Sequence, residues 1–574
     1  MMGGRGGAMP GETNTMSWSR PLPRAPRGFG PRAVRRGAAQ RLGVWWAACA
    51  VVAVTSAVTA GTGCRRPPAP RDELVLLNEG PILRIDPRFT TSSWDVKVSR
   101  LVAPGLVSVD NAAARPEMDL AESITVEDDR TYLATLRADA RFPDGRAVEA
   151  EDVRYTFDSV RDPLLGSPYR KTWDEILSSV EVLGPRQVRF HLTKPRAPFL
   201  TDLAMGIVDR RAAAAQDQAV RQAARAHDRP PALDLVGEVV GAGPFRIGAR
   251  DADRVELWRN PAARVPPRLQ RFVVRTIRDD NARFLALVGR SADIIQNGIP
   301  PLVLESFEHD KQLAVSYGPS ASVTYLGFNL TAAGTSDPRV RQAIAHAIDR
   351  RAIVDSKMHG HAILATGMLD PHNPYYEGDV ARWDYDPALA RRLLDEAGFK
   401  DPDGDGPAPR LHLTFKTSAQ RFRVALAQVI ARQLADVGIE VDVRPFDWAT
   451  FMDDVRKGNF QIFTLQATDV IEPDMLRAFF HSERIPTPAT RFSGNNRFRY
   501  SNRQVDAWLD AGAAVRAPDE RRAFYARVQR ALAADLPMLP LWHEDNAAAL
   551  RRDVGGYVVT PIASLGSVVT AYRR

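Results

Sequence analysis

The chain has 574 residues, 44% of them hydrophobic and 25% charged, with a formal net charge of +8 and two cysteines. That length asks for more than one simple domain, and the composition excludes a disordered chain, a collagen and a disulfide scaffold. With only one apolar run near spanning length, a multi-pass membrane protein is excluded as well.

The charge is unevenly placed. Residues 1–63 hold eight arginines against one acid, Glu12, a charge of +7 that leaves +1 on the remaining 511 residues. A near-neutral body gives no electrostatic ground for a nucleic-acid partner. Val44 to Ala60 is an uncharged apolar run, preceded by arginines and followed by Gly61, Thr62 and Gly63. This order predicts a secretory signal over residues 1–63; at about 17 residues the run is short for an uncleaved membrane helix. Thr62-Gly63-Cys64 resembles a bacterial lipobox, which implies lipidation of Cys64 and a tether over 64–71; plain signal cleavage is the alternative. The other cysteine, Cys49, lies in the leader. The body therefore has no disulfide, cysteine nucleophile or cysteine metal site.

Glu73 to Leu77 reads as the first strand. Ile124, Val126, Tyr132, Ala134 and Leu136 alternate about a hairpin turn at Glu127–Arg130. A helix follows over 151–160 on Val153, Phe157 and Val160, then a strand over 188–192 and a polar helix over 211–226. Short strands are predicted at 255–258 and 271–277. Asp337-Pro338 and Asp386-Pro387 each cap a helix, the first ending before Gly360 and the second at Gly398. Residues 411–415, 420–437 and 439–443 form a βαβ unit and imply a parallel pair. Asp447 caps a helix to Gly458, a strand runs from Phe460 to Leu465, and a late helix covers 519–534. Hairpins early and βαβ late predict a mixed α/β protein in two lobes.

Six collinear segments resemble the large oligopeptide/dipeptide-binding family of ABC-importer solute-binding proteins. They are Leu101–Val107, Pro116–Ile124, Leu136–Val153 with its Phe142-Pro143-Asp144-Gly145 turn, Gly241-Ala242-Gly243-Pro244-Phe245, Gly327-Phe328-Asn329, and Asp337–Ile344. The resemblance implies a class II periplasmic-binding-protein-like fold, with mixed sheets and a ligand cleft between two lobes. Residues 72–274 with the tail 543–574 would form lobe I, and residues 275–542 lobe II. It implies no enzyme activity, no cofactor and no metal. It also implies a monomer at the cell envelope or periplasm, held by a lipid anchor and serving a membrane permease with its ATPase.

The same resemblance places ligand contacts. Leu465-Gln466-Ala467-Thr468-Asp469-Val470-Ile471-Glu472-Pro473 is similar to the family motif G-W-x-x-D-x-x-D-P, which puts Asp469 where a peptide's α-ammonium is held. Leu465-Gln466 departs from Gly-Trp, and capping of the following helix is the other reading of Asp469. Ser93 and Trp94, in the loop Thr91–Asp95, are placed near the mouth of lobe I, with core or rim packing as the alternative for the tryptophan. Phe328, Asn329 and Trp542 flank the expected crossings as hinge or cleft candidates, with core packing as the alternative. A peptide is the expected ligand. The alternatives are a sugar, an opine-like compound or a chelated metal on the same fold, and from another class a secreted hydrolase, although no nucleophile–base spacing is recognisable. Asp401–Gly406 begins like a calcium loop but lacks its closing glutamate, and His359, His361 and His372 stand without an acid cluster.

Overall fold

A computed structural model describes residues 72–227, 239–404 and 406–574. The leader, the tether, Cys49, Cys64 and Asp405 lie outside them. Leu74, Leu76 and Leu77 are fully buried because their strand, Glu73–Asn78, lies at the centre of a seven-stranded sheet. It pairs in parallel with Arg271–Thr276 on one side and Ile294–Gln296 on the other. Antiparallel strands Arg254–Arg259 and Phe245–Arg250 extend the first side. Asn546–Arg551 and Leu313–Gly318 extend the second.

This sheet moves the expected lobe boundary. The sequence reading assigned residues 275–318 to the second lobe, yet they supply two strands of the first sheet. The predicted crossing near 274 is absent because Arg271–Thr276 is an inner strand, and its successor Ile294–Gln296 returns beside Glu73–Asn78. The chain leaves the sheet after Gly318 and enters a second sheet at Val323; it comes back between Glu544 and Asn546.

The second sheet has six strands, in the order Ala362–Leu364, Met538–Glu544, Val323–Phe328, Ile462–Ala467, Leu411–Ser418 and Ile439–Phe446. The last two are the predicted parallel pair, joined by the helix Arg421–Ala435. Period-two alternation gives the sheet two buried faces. Leu326 and Phe328 join one core with Leu413, Phe415 and Ile430. Val323 and Tyr325 join another with Phe463, Leu465 and Phe498. A third sheet of four antiparallel strands, Ala121–Val126, Thr131–Leu136, Gln187–Leu192 and Leu177–Gly184, has its own core around Phe157 and Phe190.

Caps set the helix ends. Asp337, Asp386 and Asp447 accept hydrogen bonds from first-turn amides, as their positions before the apolar runs predict. The Asp337 helix is shorter than expected. It stops at Ala347, Ile348 is extended (φ −99°, ψ 112°), and Asp349 caps a new helix, Arg350–Lys357, by accepting from Ala352 N. A capping residue inside a continuous apolar pattern thus splits one helix into two. Among the described residues no helix is long and apolar enough to cross a membrane.

Candidate ligand-binding site

Strand Ile462–Ala467 pairs antiparallel with Val323–Phe328, setting Ala467 opposite Val323. Its C-terminal end is thereby delivered to the first crossing, where Val470 N donates to Ala321 O at 2.7 Å. Between them Asp469 takes a left-handed backbone, φ 56°, a conformation that aspartate tolerates better than most side chains. The next helix starts at Met475, and its cap position is Asp474. Asp469 does not cap it, so that alternative falls. The Asp469 carboxylate has no hydrogen bond or ion pair among the described residues. Burial pushes its pKa up, while Lys97 and then Arg100 pull it down through space.

Lys97 and Arg100 come from the other sheet's side of the crossings. Their helix, Ser93–Val102, is nucleated by a capping box in which Ser92 accepts from Asp95 N and Asp95 accepts at the cap amide. Ser93 and Trp94 are therefore the first turn of a helix, where a loop was expected; Thr91-Ser92-Ser93 reads as a loop only until Ser92 is recognised as the cap. Ser93 is exposed. Trp94 is buried in the core beneath the seven-stranded sheet, and its indole Nε1 donates to Glu79 Oε1 at 3.1 Å. Lys97 Nζ lies 5.0 Å from the Trp94 ring centroid. Arg100 donates to Asp110 at 3.0 Å. The three-residue spacing puts Trp94, Lys97 and Arg100 along one side of the helix.

The remaining sequence candidates lie elsewhere. Phe328 is fully buried in the core of the six-stranded sheet. It stands at the far end of its strand from the crossing, ~17 Å away at ~3.3 Å per residue. Asn329 is a buried turn-holder: its Nδ2 donates to the carbonyls of Gly458 and Phe460, both at 3.0 Å. Trp542 is fully buried in the same core as Phe328, with Nε1 donating to Glu544 Oε1 at 3.0 Å. All three side chains are buried. Their apolar neighbours on both sides of the strand, rather than their nearness to a crossing in sequence, decide where they go.

A mixed seven-stranded sheet and a mixed six-stranded sheet, joined by two short crossings with an unpartnered carboxylate at one of them, form the frame in which relatives can be sought. The family described as bacterial extracellular solute-binding proteins, family 5 Middle, matches residues 115–485. The chain belongs to this family. It is thus an extracytoplasmic solute-binding protein of the peptide-type ABC-importer family, not an enzyme. It is similar to the probable di/tripeptide-binding protein 5 of Pseudomonas aeruginosa, 28% identical over 508 residues, covering 84% of this chain and 91% of the other. The fold is shared with NikZ from Campylobacter jejuni, solved in complex with Ni(L-His) (TM-score 0.74, 24% identity, 88% of this chain and 100% of that one). It is also shared with the oligopeptide-binding AppA from Bacillus subtilis, solved with a nonapeptide (TM-score 0.73, 22% identity, 88% and 99%).

Sequence reading missed the contacts by which this solute-binding protein holds its four-stranded layer against the six-stranded half. Arg196 donates to Asp474 at 3.3 Å, Thr201 to Glu472 at 3.4 Å, and Ala197 N to Ala513 O at 2.8 Å. Arg516 reaches Asp129 at 2.8 Å and Arg484 reaches Glu175 at 3.1 Å. Arg521 pairs with Glu472, whose pKa burial pushes up while Arg521 pulls it back down. Partners hundreds of residues apart leave no local spacing to detect. Among the described residues no group of His, Asp, Glu or Cys has the arrangement of a metal site. A polar cavity of about 450 Å³ lined by Glu151, Arg154, Asp158 and Arg221 belongs to the four-stranded layer and includes neither Asp469 nor Lys97.

Proposed function

We propose that this chain captures short peptides between its two halves, with Asp469 holding the ligand's α-ammonium, and delivers them unaltered to an ABC permease driven by a separate ATPase. The observation that carries the reading is the Asp469 carboxylate: half-buried, fixed at a strand end by the Val470–Ala321 hydrogen bond, and without a hydrogen bond or ion pair among the described residues. A carboxylate so placed offers charge-assisted hydrogen bonds to an ammonium group. The similarity to a di/tripeptide-binding relative supports the same ligand class. Lobe I then comprises residues 72–318 with the tail from 546, and lobe II residues 323–544. Two crossings constrain the lobes to hinge, and a ligand touching both favours the closed arrangement. The protein works as a monomer tethered through lipidated Cys64.

Native mass spectrometry of the purified body tests the reading. Wild type retains a mixture of peptides, and Asp469→Ala loses them while keeping its melting temperature. A retained metal chelate or sugar in place of peptides would overturn the ligand class; tight peptide binding by Asp469→Ala would overturn the residue's role.

A further inference from the structure

Edge strands of the two large sheets come together around Asp545, the residue of the second crossing. Before it, Glu544 pairs with Ala362, where the edge strand Ala362–Leu364 of the six-stranded sheet begins. After it, Asn546 pairs with Gly318, where the edge strand Leu313–Gly318 of the seven-stranded sheet ends. His361 of the six-stranded half thereby meets Tyr317 of the other. Their rings stack face to face, with centroids 3.8 Å apart and planes 6° from parallel. His361 also holds the crossing itself: its carbonyl accepts from Asp545 N at 3.0 Å, and its Nδ1 lies 3.8 Å from Asp545 Oδ2. Two residues earlier, His359 Nδ1 lies 3.6 Å from Glu305 Oε2, on the helix Pro301–Glu308 that follows the seven-stranded sheet's strand Ile294–Gln296. The turn carrying both histidines is tight: His361 N donates to Met358 O at 2.8 Å, and His359 and Gly360 take positive φ, 50° and 82°.

We propose that the turn Met358–His361 is a strap across the hinge, which fixes the angle between the two sheets and is tightened by acid. A rotation about the crossings tilts one ring of the Tyr317–His361 stack against the other, so the contact resists it. Histidine is the side chain whose charge changes between about pH 5 and pH 8. A charged His361 gains the Asp545 carboxylate and the face of Tyr317, and a charged His359 gains Glu305. Burial pushes the Asp545 carboxyl up, and His361 pulls it down. The surrounding charges are mostly engaged. Glu308 accepts from the Tyr317 hydroxyl at 2.8 Å, Glu544 from Thr324 and Trp542, and Asp370 is paired with His372. The cations that oppose the effect are Lys357, at the end of the preceding helix, and His309, whose Nδ1 meets Glu305 O at 2.7 Å. The strap needs the two crossings but no ligand, so it stands apart from the peptide reading.

Double electron–electron resonance on the ligand-free full chain tests this. Spin labels are placed at Leu285→Cys and Arg432→Cys, exposed positions on the two halves, with Cys49→Ser and Cys64→Ser removing the native thiols. From about pH 7.5 to about pH 5.5 the ratio of the strapped distance to all others is expected to rise about threefold or more. His359→Gln combined with His361→Phe keeps a ring on Tyr317 and removes both titrating groups; that chain should hold the strapped distance without responding to pH. His361→Ala, with its melting temperature showing it folded, should lose the strapped distance at both pH values. A pH response that survives in the His359→Gln, His361→Phe chain, an unchanged distribution in His361→Ala, or no response with both histidines present overturns the proposal. Should His361→Ala fail to fold, the paired variant alone decides.

Discussion

Arg196 Nη1 stands 3.3 Å from Asp474 Oδ2, although 278 residues separate them. Arg196 also pairs with Asp202 in its own segment, so one guanidinium serves an internal partner and one on the six-stranded half. Both carboxylates are largely withdrawn from water, where such pairs are screened little by salt.

Asp474→Asn removes the charge on the far side and leaves Arg196 with Asp202. The closed arrangement is expected to lose a charge-assisted bond, and peptide affinity to fall about tenfold, ~1.4 kcal/mol. Small-angle scattering of the ligand-free variant should give a larger radius of gyration than wild type. An unchanged radius and affinity would show that the pair does not hold the halves together.

Asp469 has a pKa raised by burial, so it takes up a proton at a higher pH than an ordinary aspartate. If it holds an ammonium as its carboxylate, peptide affinity falls on acidification, and at a higher pH than an ordinary aspartate would give. Its contribution to folding runs the other way: present in full below the ordinary carboxylate pKa, it is lost as the pH rises through the raised one. Calorimetric titrations at pH 7 and pH 5 check the first sign, with Asp469→Asn expected to flatten the profile.

Trp542→Ala empties one of the largest fully buried sites in the six-stranded half and leaves Glu544 with only Thr324 and Gln466 as donors. Large-to-small changes of this kind cost ~3–5 kcal/mol. The urea midpoint should fall accordingly; a shift confined to ligand affinity would instead place Trp542 in the cleft.

A Cβ added at Gly243 would lie 2.4 Å from Leu101 O, and one at Gly241 2.4 Å from Val102 O. Both glycines lie against the end of the helix that carries Lys97. Gly243→Ala should destabilise by ~1–3 kcal/mol through backbone overpacking. Gly367→Ala, with nothing within 4 Å, should leave the melting temperature unchanged.

Cys64→Ser removes the thiol that lipidation requires. In cells the variant is expected in the soluble extracytoplasmic fraction, with wild type in the membrane pellet and labelled by radioactive palmitate. An unlabelled wild-type protein would favour plain signal cleavage.

Much of the architecture was legible because it is written locally. Asp337-Pro338, Asp386-Pro387 and the Gly438 turn mark helix ends by cap and backbone chemistry, and the alternation in Thr131–Leu136 fixes which face is buried. The motif Gly241-Ala242-Gly243 was recognisable before its reason was: close approach to Val102 and Ala103 leaves no room for a side chain. The boundary between halves was misplaced because sheet membership is a long-range property; nothing in Ile294–Gln296 says that its neighbour is Glu73–Asn78. The site was legible in part. Asp469 came from a motif, whereas the pairs Arg196–Asp474 and Arg484–Glu175 join residues too far apart in the chain to show as a spacing. For Phe328 and Trp542 the sequence left cleft and core packing open, and both are buried in the core.

The strand Asn546–Arg551 fills an inner place of the seven-stranded sheet, between Ile294–Gln296 and Leu313–Gly318. Its residues follow every other strand of both large sheets in the chain. The first sheet therefore cannot be completed until every strand of the second has been made, and it is completed by insertion rather than by growth at an edge. Such distant pairing is slow to form. Trimming the C-terminus before residue 546 would split that sheet rather than shorten it.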